Sequence, residues 1–240
     1  MVKSKFWNFV GASVIGPKHI RDGLPNQDFW NYESKPEYES DMVVVCDGMG
    51  SKTHSDIGSR KACEAVKETF EDILINGELV TLKIQEMVQE KWLSLIEPNI
   101  PDECRTTCLF VFHIKDKVLF FQIGDGFIAY INENSEVVVP FRNYNEFSNI
   151  SDSLSNDISE NSWKSMILPS ENIKGLILCT DGVGDDFVGT KLDSFFKDSF
   201  EFYKSLPRVQ AFDEIKQMLE NWPVPMHCDD KTIAYMYLDN

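Results

Sequence analysis

The chain has 240 residues, of which 42% are hydrophobic, and its seventeen Phe and five Trp are ample for a sizeable core in one large domain or two small ones. A formal net charge of −16 argues against a nucleic-acid or anionic-membrane partner, since either needs a basic footprint, and leaves a solvated surface or carboxylate clusters that bind cations. The six cysteines contain no C-x-x-C pair, which removes zinc-ribbon and redox motifs, and with Cys46 and Cys179 at the ends of apolar runs they read as core thiols of a reducing compartment. No apolar run approaches the roughly 20 residues of a membrane span, and MVKSKFWNFVGASVIG is too broken for a signal peptide, so a cytoplasmic location is expected.

In chain order, residues 6–15 and 28–32 read as strands joined by the loop GPKHIRDGLPNQ, whose Gly, Pro and Asp-Gly content breaks regular structure. Asp22-Gly23, with no apolar run before it, is a plain turn. The run MVVVC follows as a strand ending at Asp47-Gly48. After Ser55 the apolar period becomes 3.6: Ile57, Ala62, Val66, Phe70 and Ile73 form one stripe, and Leu79 to Ile96 form a second helix ending at Pro98. Residues 106–139 (TTCLFVFHI, KVLFFQI, FIAYI, EVVVP) read as an antiparallel meander, and the Ser/Asn/Asp-rich segment 142–163 as a surface excursion. A strand at 175–179, helices near 190–204 and 208–221, and the strand TIAYMYL complete the pattern. Strands and helices come in blocks rather than alternating, which excludes a parallel doubly wound sheet, and with no repeat or linker the span 1–240 is expected to be one domain.

The chemistry lies in where the aspartates fall. Asp28, Asp47, Asp125, Asp181 and Asp229-Asp230 each stand at or beside a strand end. One Asp-Gly after an apolar run is a hairpin signal; five acidic strand ends form a pattern. Carboxylates that converge raise one another's pKa unless a cation lies between them, and oxygen donors without matching His or Cys suit Mg²⁺ or Mn²⁺ rather than Zn²⁺.

The ordered set NQD (26–28), DGMG (47–50), TT (106–107), GDG (124–126), TDGVGDD (180–186) and DDKTIA (229–234) resembles the metal-dependent protein phosphatases, the PPM or type 2C serine/threonine family, in its compact bacterial form. The resemblance runs over essentially the whole chain. It implies an α+β fold, a four-layer α-β-β-α sandwich of two mainly antiparallel sheets flanked by helix pairs, with two to three Mn²⁺ or Mg²⁺ ions at one end. It makes Asp47 the carboxylate bridging two metals, with the Gly48 carbonyl on the second, Asp181 and Asp229 on the first, and Asp125 with Asp185 on a weaker third. The implied reaction is direct attack of a metal-bridging hydroxide on phosphoserine or phosphothreonine of a partner protein, in opposition to a Ser/Thr kinase; a monomer is expected.

Several positions depart from the family pattern. Gln27-Asp28 stands where the family has Glu-Asp, and the phosphate-clamping arginine has no in-register counterpart, leaving Arg21 or His19 as candidates. Met49 follows the Asp-Gly, so a proton donor for the leaving alkoxide is expected from His54 or His19. Thr106 and Thr107 resemble a buried hydroxyl pair beside the metal shell, and 142–163 falls where the family carries a flap. A catalytically weak or dead phosphatase-fold binding protein is the alternative. A haloacid-dehalogenase phosphatase is excluded, because Cys46-Asp47-Gly48-Met49 lacks the Asp-x-Asp such enzymes need.

Overall fold

The computed structural model describes residues 7–77, 80–141, 152–158, 162–187 and 191–238. Two five-stranded antiparallel sheets pack face to face. One has the order β1 (Trp7–Val14), β10 (Lys231–Leu238), β9 (Ile173–Cys179), β6 (Phe127–Asn132), β7 (Val137–Val138). The other has the order β2 (Asp28–Lys35), β3 (Ser40–Asp47), β4 (Cys108–Ile114), β5 (Lys117–Ile123), β8 (Lys164–Pro169). Helices α2 (Ser55–Asn76) and α3 (Thr81–Leu95) cover the second sheet, while α5 (Lys191–Ser205) and α6 (Arg208–Glu220) cover the first. The result is the expected four-layer sandwich.

The layers explain the continuous apolar runs. In β3, Met42, Val44 and Cys46 pack against α2 and α3, while Val43 and Val45 face Leu176, Leu178 and Met236 of the opposite sheet. Both faces are dry, so hydrophobic residues do not alternate with polar ones. The outer layers close the same way: Phe70 and Trp92 meet Phe110 and Phe112, and Phe196 and Ile215 meet Ile177 and Tyr235. Trp92 is fully buried, and its indole N–H donates to the Gly58 carbonyl at 3.0 Å, so its polar edge is satisfied.

The structure departs from the sequence reading in five details. Residues Pro17–Asp22 form a short helix, α1, inside the expected loop, with Pro17 in its first turn, where a missing N–H costs nothing. Gly23, at φ 69°, is therefore a left-handed helix cap and not part of a free turn. The expected meander is split: β4 and β5 pair as a hairpin, but β6 crosses to the other sheet and pairs with β9 and β7. Strand β8 was not anticipated, because its residues alternate between half-buried and exposed on a sheet edge next to a polar stretch. A short helix, α4 (Asp181–Gly184), follows β9 directly.

Part of the 142–163 excursion, 142–151 and 159–161, lies outside the described residues. Its described portion is anchored: the Leu154 N–H donates to the Thr106 carbonyl at 2.8 Å, Arg105 Nε donates to Ser153 Oγ at 2.8 Å, and Leu154 is fully buried.

Candidate active site

Antiparallel order brings alternate strand ends together, so the acidic positions scattered through the sequence meet at one end of the sandwich. Asp28 opens β2 and is in register opposite Asp47, which closes β3. Asp181 begins α4 just beyond β9, and Asp229 and Asp230 precede β10. Asp125 sits in the turn between β5 and β6, and Asp185 just after α4.

These carboxylates lie at graded depth. Asp28 and Asp230 are buried, Asp47 and Asp181 are partly covered, and Asp125, Asp185 and Asp229 are on the exposed rim. Burial, then the charges of Asp230 and Asp181, push Asp28 up to about 8. Asp47 keeps some solvent contact, yet desolvation and then the charges of Asp28 and Asp181 hold it well above the usual carboxylate range. Desolvation also raises Asp181, which shares a hydrogen bond with Asp47. Asp185 is pushed up to about 6, first by desolvation and then by Asp181.

A scaffold of hydroxyls and amides fixes this cluster. The Thr180 hydroxyl donates to Asp28 Oδ2 at 2.9 Å and accepts the Thr232 N–H at 3.1 Å, tying β9 and β10 of one sheet to β2 of the other. Thr106 Oγ1 and the Thr107 N–H donate to the Asp47 carbonyl at 2.7 and 2.8 Å, and the Asp47 N–H donates to Thr107 Oγ1 at 3.0 Å. This is a structural placement for the threonine pair. Gly48 is held by close approach: a Cβ there would meet the Ser55 carbonyl oxygen at 2.5 Å, where α2 begins.

Asp230 has a different task from Asp229. Its carboxylate accepts from the Gly16 N–H at 2.6 Å, the Gln27 N–H at 2.6 Å and His19 Nδ1 at 2.8 Å, while its own N–H donates to Asp229 Oδ1 at 3.0 Å. His19 is thus buried against Asp230. Arg21, two residues on, points outward: its guanidinium donates to Asp22 at 2.9 Å from a side chain that is 71% exposed. His54 is half-buried before the first residue of α2, and its ring does not cap the helix.

Sequence reasoning did not pick out Thr180, His227 or Lys231. A cavity of about 210 Å³ is lined by Asp181, Asp185 and Asp229 together with His227 and Lys231. Lys231 is almost fully buried, with Nζ donating to the Asp229 carbonyl at 3.2 Å and lying 5.7 Å from the centre of the Trp222 ring. The signal for Lys231 was visible in DDKTIA, where a lysine starts an otherwise apolar strand. That for His227 was its place two residues before Asp229.

The donor set fits a hard divalent cation. Among the described residues no three His, Cys, Asp or Glu groups close into a complete coordination shell, and Asp47 and Asp181 hydrogen-bond to each other instead. Yet Asp28 Oδ1, Asp181 Oδ1 and Gln27 Oε1 are buried oxygens without a hydrogen-bond partner. Unsatisfied acceptors and mutually raised carboxylates call for a positive charge, and all-oxygen donors match Mg²⁺ or Mn²⁺.

Fold and site together define a phosphatase-type sandwich with an acidic centre at one end. Residues 15–221 match the family described as Protein phosphatase 2C, and the chain belongs to that family. A search of curated proteins finds no match. Among solved structures, a bacterial serine phosphatase is 15% identical, with 98% of this chain and 99% of that chain covered and a TM-score of 0.69. The catalytic domain of the serine threonine protein phosphatase PstP, in complex with 2 manganese ions, is 13% identical over 98% of this chain and 99% of that one, with a TM-score of 0.65. The serine/threonine phosphatase Stp1 from Staphylococcus aureus is 15% identical over 98% of this chain and 96% of that one, with a TM-score of 0.67. At these identities the likeness is one of fold.

Proposed function

We propose that this chain is a metal-dependent protein phosphatase that hydrolyses phosphoserine and phosphothreonine, with residues 1–240 acting as one unit. The observation that carries this reading is the convergence of Asp28, Asp47, Asp181 and Asp229, with raised carboxylates and unpaired buried oxygens, at one end of a protein phosphatase 2C fold. Asp47, the Gly48 carbonyl, Asp181 and Asp229 would hold two Mn²⁺ or Mg²⁺ ions, with Asp28 and Gln27 supporting them and Asp125 and Asp185 offering a third site. Such ions supply Lewis-acid stabilisation of the phosphoryl oxygens and a nucleophilic water at neutral pH.

The chain's own residues do the rest. The Thr106–Thr107 pair fixes the Asp47 backbone, Thr180 orients Asp28, and Asp230 orients Asp229 and the Gly16–Gln27 segment. For the proton that must reach the leaving alkoxide, His19 is committed to Asp230, and burial followed by the charge of Lys231 lowers the pKa of His227, which disfavours its protonated form. His113 is paired with Asp41 near the opposite end of β3, and His54, seven residues after Asp47, is the donor this reading assigns. In His54→Gln, phosphoserine-peptide turnover should drop by about 10²-fold while an aryl phosphate with an acidic leaving group is hardly affected; equal losses on both substrates would remove His54 from this role.

The partners in this reading are phosphoproteins whose phosphorylation a Ser/Thr kinase supplies, and the protein works as a cytoplasmic monomer. Six free cysteines support a reducing compartment, and among the described residues no helix is long and apolar enough to cross a membrane. The test is hydrolysis of an aryl phosphate with and without Mn²⁺. Turnover that requires the metal and vanishes in Asp47→Asn and Asp181→Asn is expected, whereas metal binding without turnover would overturn the reading.

A further inference from the structure

A second cavity adjoins the acidic centre. It has a volume of about 530 Å³ and runs between the end of β1, helix α1 and the end of α6. Its wall is mostly aliphatic, formed by Val14, Ile15, Pro17, Ile20 and Leu219. His227, Asp229 and Lys231 line both this groove and the smaller cavity that holds Asp181 and Asp185, so the two spaces share a wall.

Val14 and Leu219 at the base of this wall belong to the core, and Ile20 stands at its open edge. Ile20 is 62% exposed on the six-residue helix α1, and Met226, 97% exposed, lines the smaller cavity together with Asp229. The helix that presents Ile20 is held rigidly, because His19 beside it is buried against Asp230, and Asp230 also holds the Gly16 and Gln27 amides. An aliphatic surface fixed next to a reaction centre is positioned to read what is attached to the reacting group.

We propose that this groove is a substrate subsite that takes an apolar side chain flanking the phosphoserine or phosphothreonine. The inference rests on the phosphatase reading above and names a substrate class for it. A phosphorylated residue placed over Asp181 and Asp229 lies beside the shared wall, and a peptide leaving in that direction crosses the groove. With about 3.3 Å of extended chain per residue, the neighbour within one or two positions is the one that meets Ile15 and Ile20. A buried aliphatic neighbour gains there what a Ser or Glu neighbour does not. Lys216, also on the groove, lies 3.7 Å from the Glu220 carboxylate of the same wall, so this pair adds no net charge and the aliphatic side chains set the preference.

The test uses the full chain with Mn²⁺ and pairs of phosphoserine peptides identical except for Leu or Ser at one position beside the phosphoserine, on either side. We expect kcat/KM to be roughly tenfold higher for the Leu peptide on one side, and this ratio to collapse toward one in Ile20→Ser and Ile15→Thr. It should persist in Val209→Ser, which changes an exposed residue away from the groove. No Leu preference in the wild-type chain, or a preference that survives both groove substitutions, would overturn the subsite. Aryl phosphate turnover by the wild-type chain, measured alongside, reports on the phosphatase reading separately: turnover without a Leu preference sinks the subsite alone.

Discussion

Strand β3 carries a carboxylate near each end, and the two have opposite fates. Asp41 and Asp47 lie on the same face of the strand as Val43 and Val45, pointing between the sheets. Asp41 is 6% exposed and accepts from Ser34 Oγ at 2.5 Å, with its second oxygen 3.0 Å from His113 Nδ1. Asp47 is less buried, yet desolvation and then the charges of its neighbours Asp28, Asp181 and Asp229 raise it. Burial alone therefore does not mark the site; burial among like charges does. A buried carboxylate with donors around it is a structural part, whereas one among carboxylates is waiting for a cation.

The sharpest way to break this comparison is to neutralise each end in turn. Asp47→Asn should lower metal-dependent aryl phosphate turnover by at least about 10³-fold, because on the proposed reading it removes a metal ligand at the reacting centre. The melting temperature of the metal-free protein should hold or rise, since a repelling charge has gone. Asp41→Asn should do the reverse, leaving kcat near the wild-type value and lowering the melting temperature. If both substitutions cost only stability, the two ends are alike and the acidic end is structural.

Next in size is the removal of His113. His113→Ala leaves Asp41 buried with Ser34 as its remaining side-chain partner, which should cost about 2–4 kcal/mol in urea unfolding without changing KM. A stability change under about 0.5 kcal/mol would mean that water replaces the imidazole and that this end is wetter than its geometry implies.

A smaller effect follows from pH. Folded, metal-free Asp28 titrates at about 8 and Asp185 at about 6, while an unfolded aspartate titrates near 4. Between these values the folded state holds protons that the unfolded chain has released, so stability falls as pH rises from about 4 to about 8. With EDTA present, the melting temperature should drop by several degrees from pH 5 to pH 8, and the increment added by Mn²⁺ should grow over the same interval as metal displaces those protons. A metal-free melting temperature that rises across that interval would contradict the raised carboxylates.

How much of this was legible in the sequence depended on range. The helices α2, α3, α5 and α6 and the buried strands were readable because their apolar period is local, within a residue or two at each end. Strand β8 was not, since an edge strand shows water half its residues and resembles the polar stretch before it. The division of β5 and β6 between sheets was also invisible, because a Gly-Asp-Gly turn does not say whether the chain folds back or crosses over. In the site, the aspartates were legible by their place at strand ends, and the structure brings those ends together. The separate duties of Asp229 and Asp230 were not readable, because which of two adjacent carboxylates meets Gly16, His19 and Gln27 depends on contacts across more than two hundred residues. For the same reason His19 looked available for chemistry.

The smallest expected effect repeats the comparison within one helix. His19 and Arg21 are two residues apart on α1, and both were candidates to hold the substrate phosphate. His19 is 4% exposed and bonded to Asp230, so His19→Ala should cost about 1–3 kcal/mol of stability and weaken Mn²⁺ binding through the loosened Asp229–Asp230 pair. Arg21 lies on the outer face, paired with its neighbour Asp22, and a surface pair between adjacent residues contributes little. Arg21→Ala should therefore change KM for a phosphoserine peptide by less than about twofold, with an unaltered melting temperature. A tenfold rise in KM would instead show the guanidinium leaving Asp22 to meet the phosphate when substrate binds. The outer face of α1 would then belong to the acidic end of the molecule, and the missing in-register arginine would have been replaced from a helix that the sequence pattern had hidden in a loop.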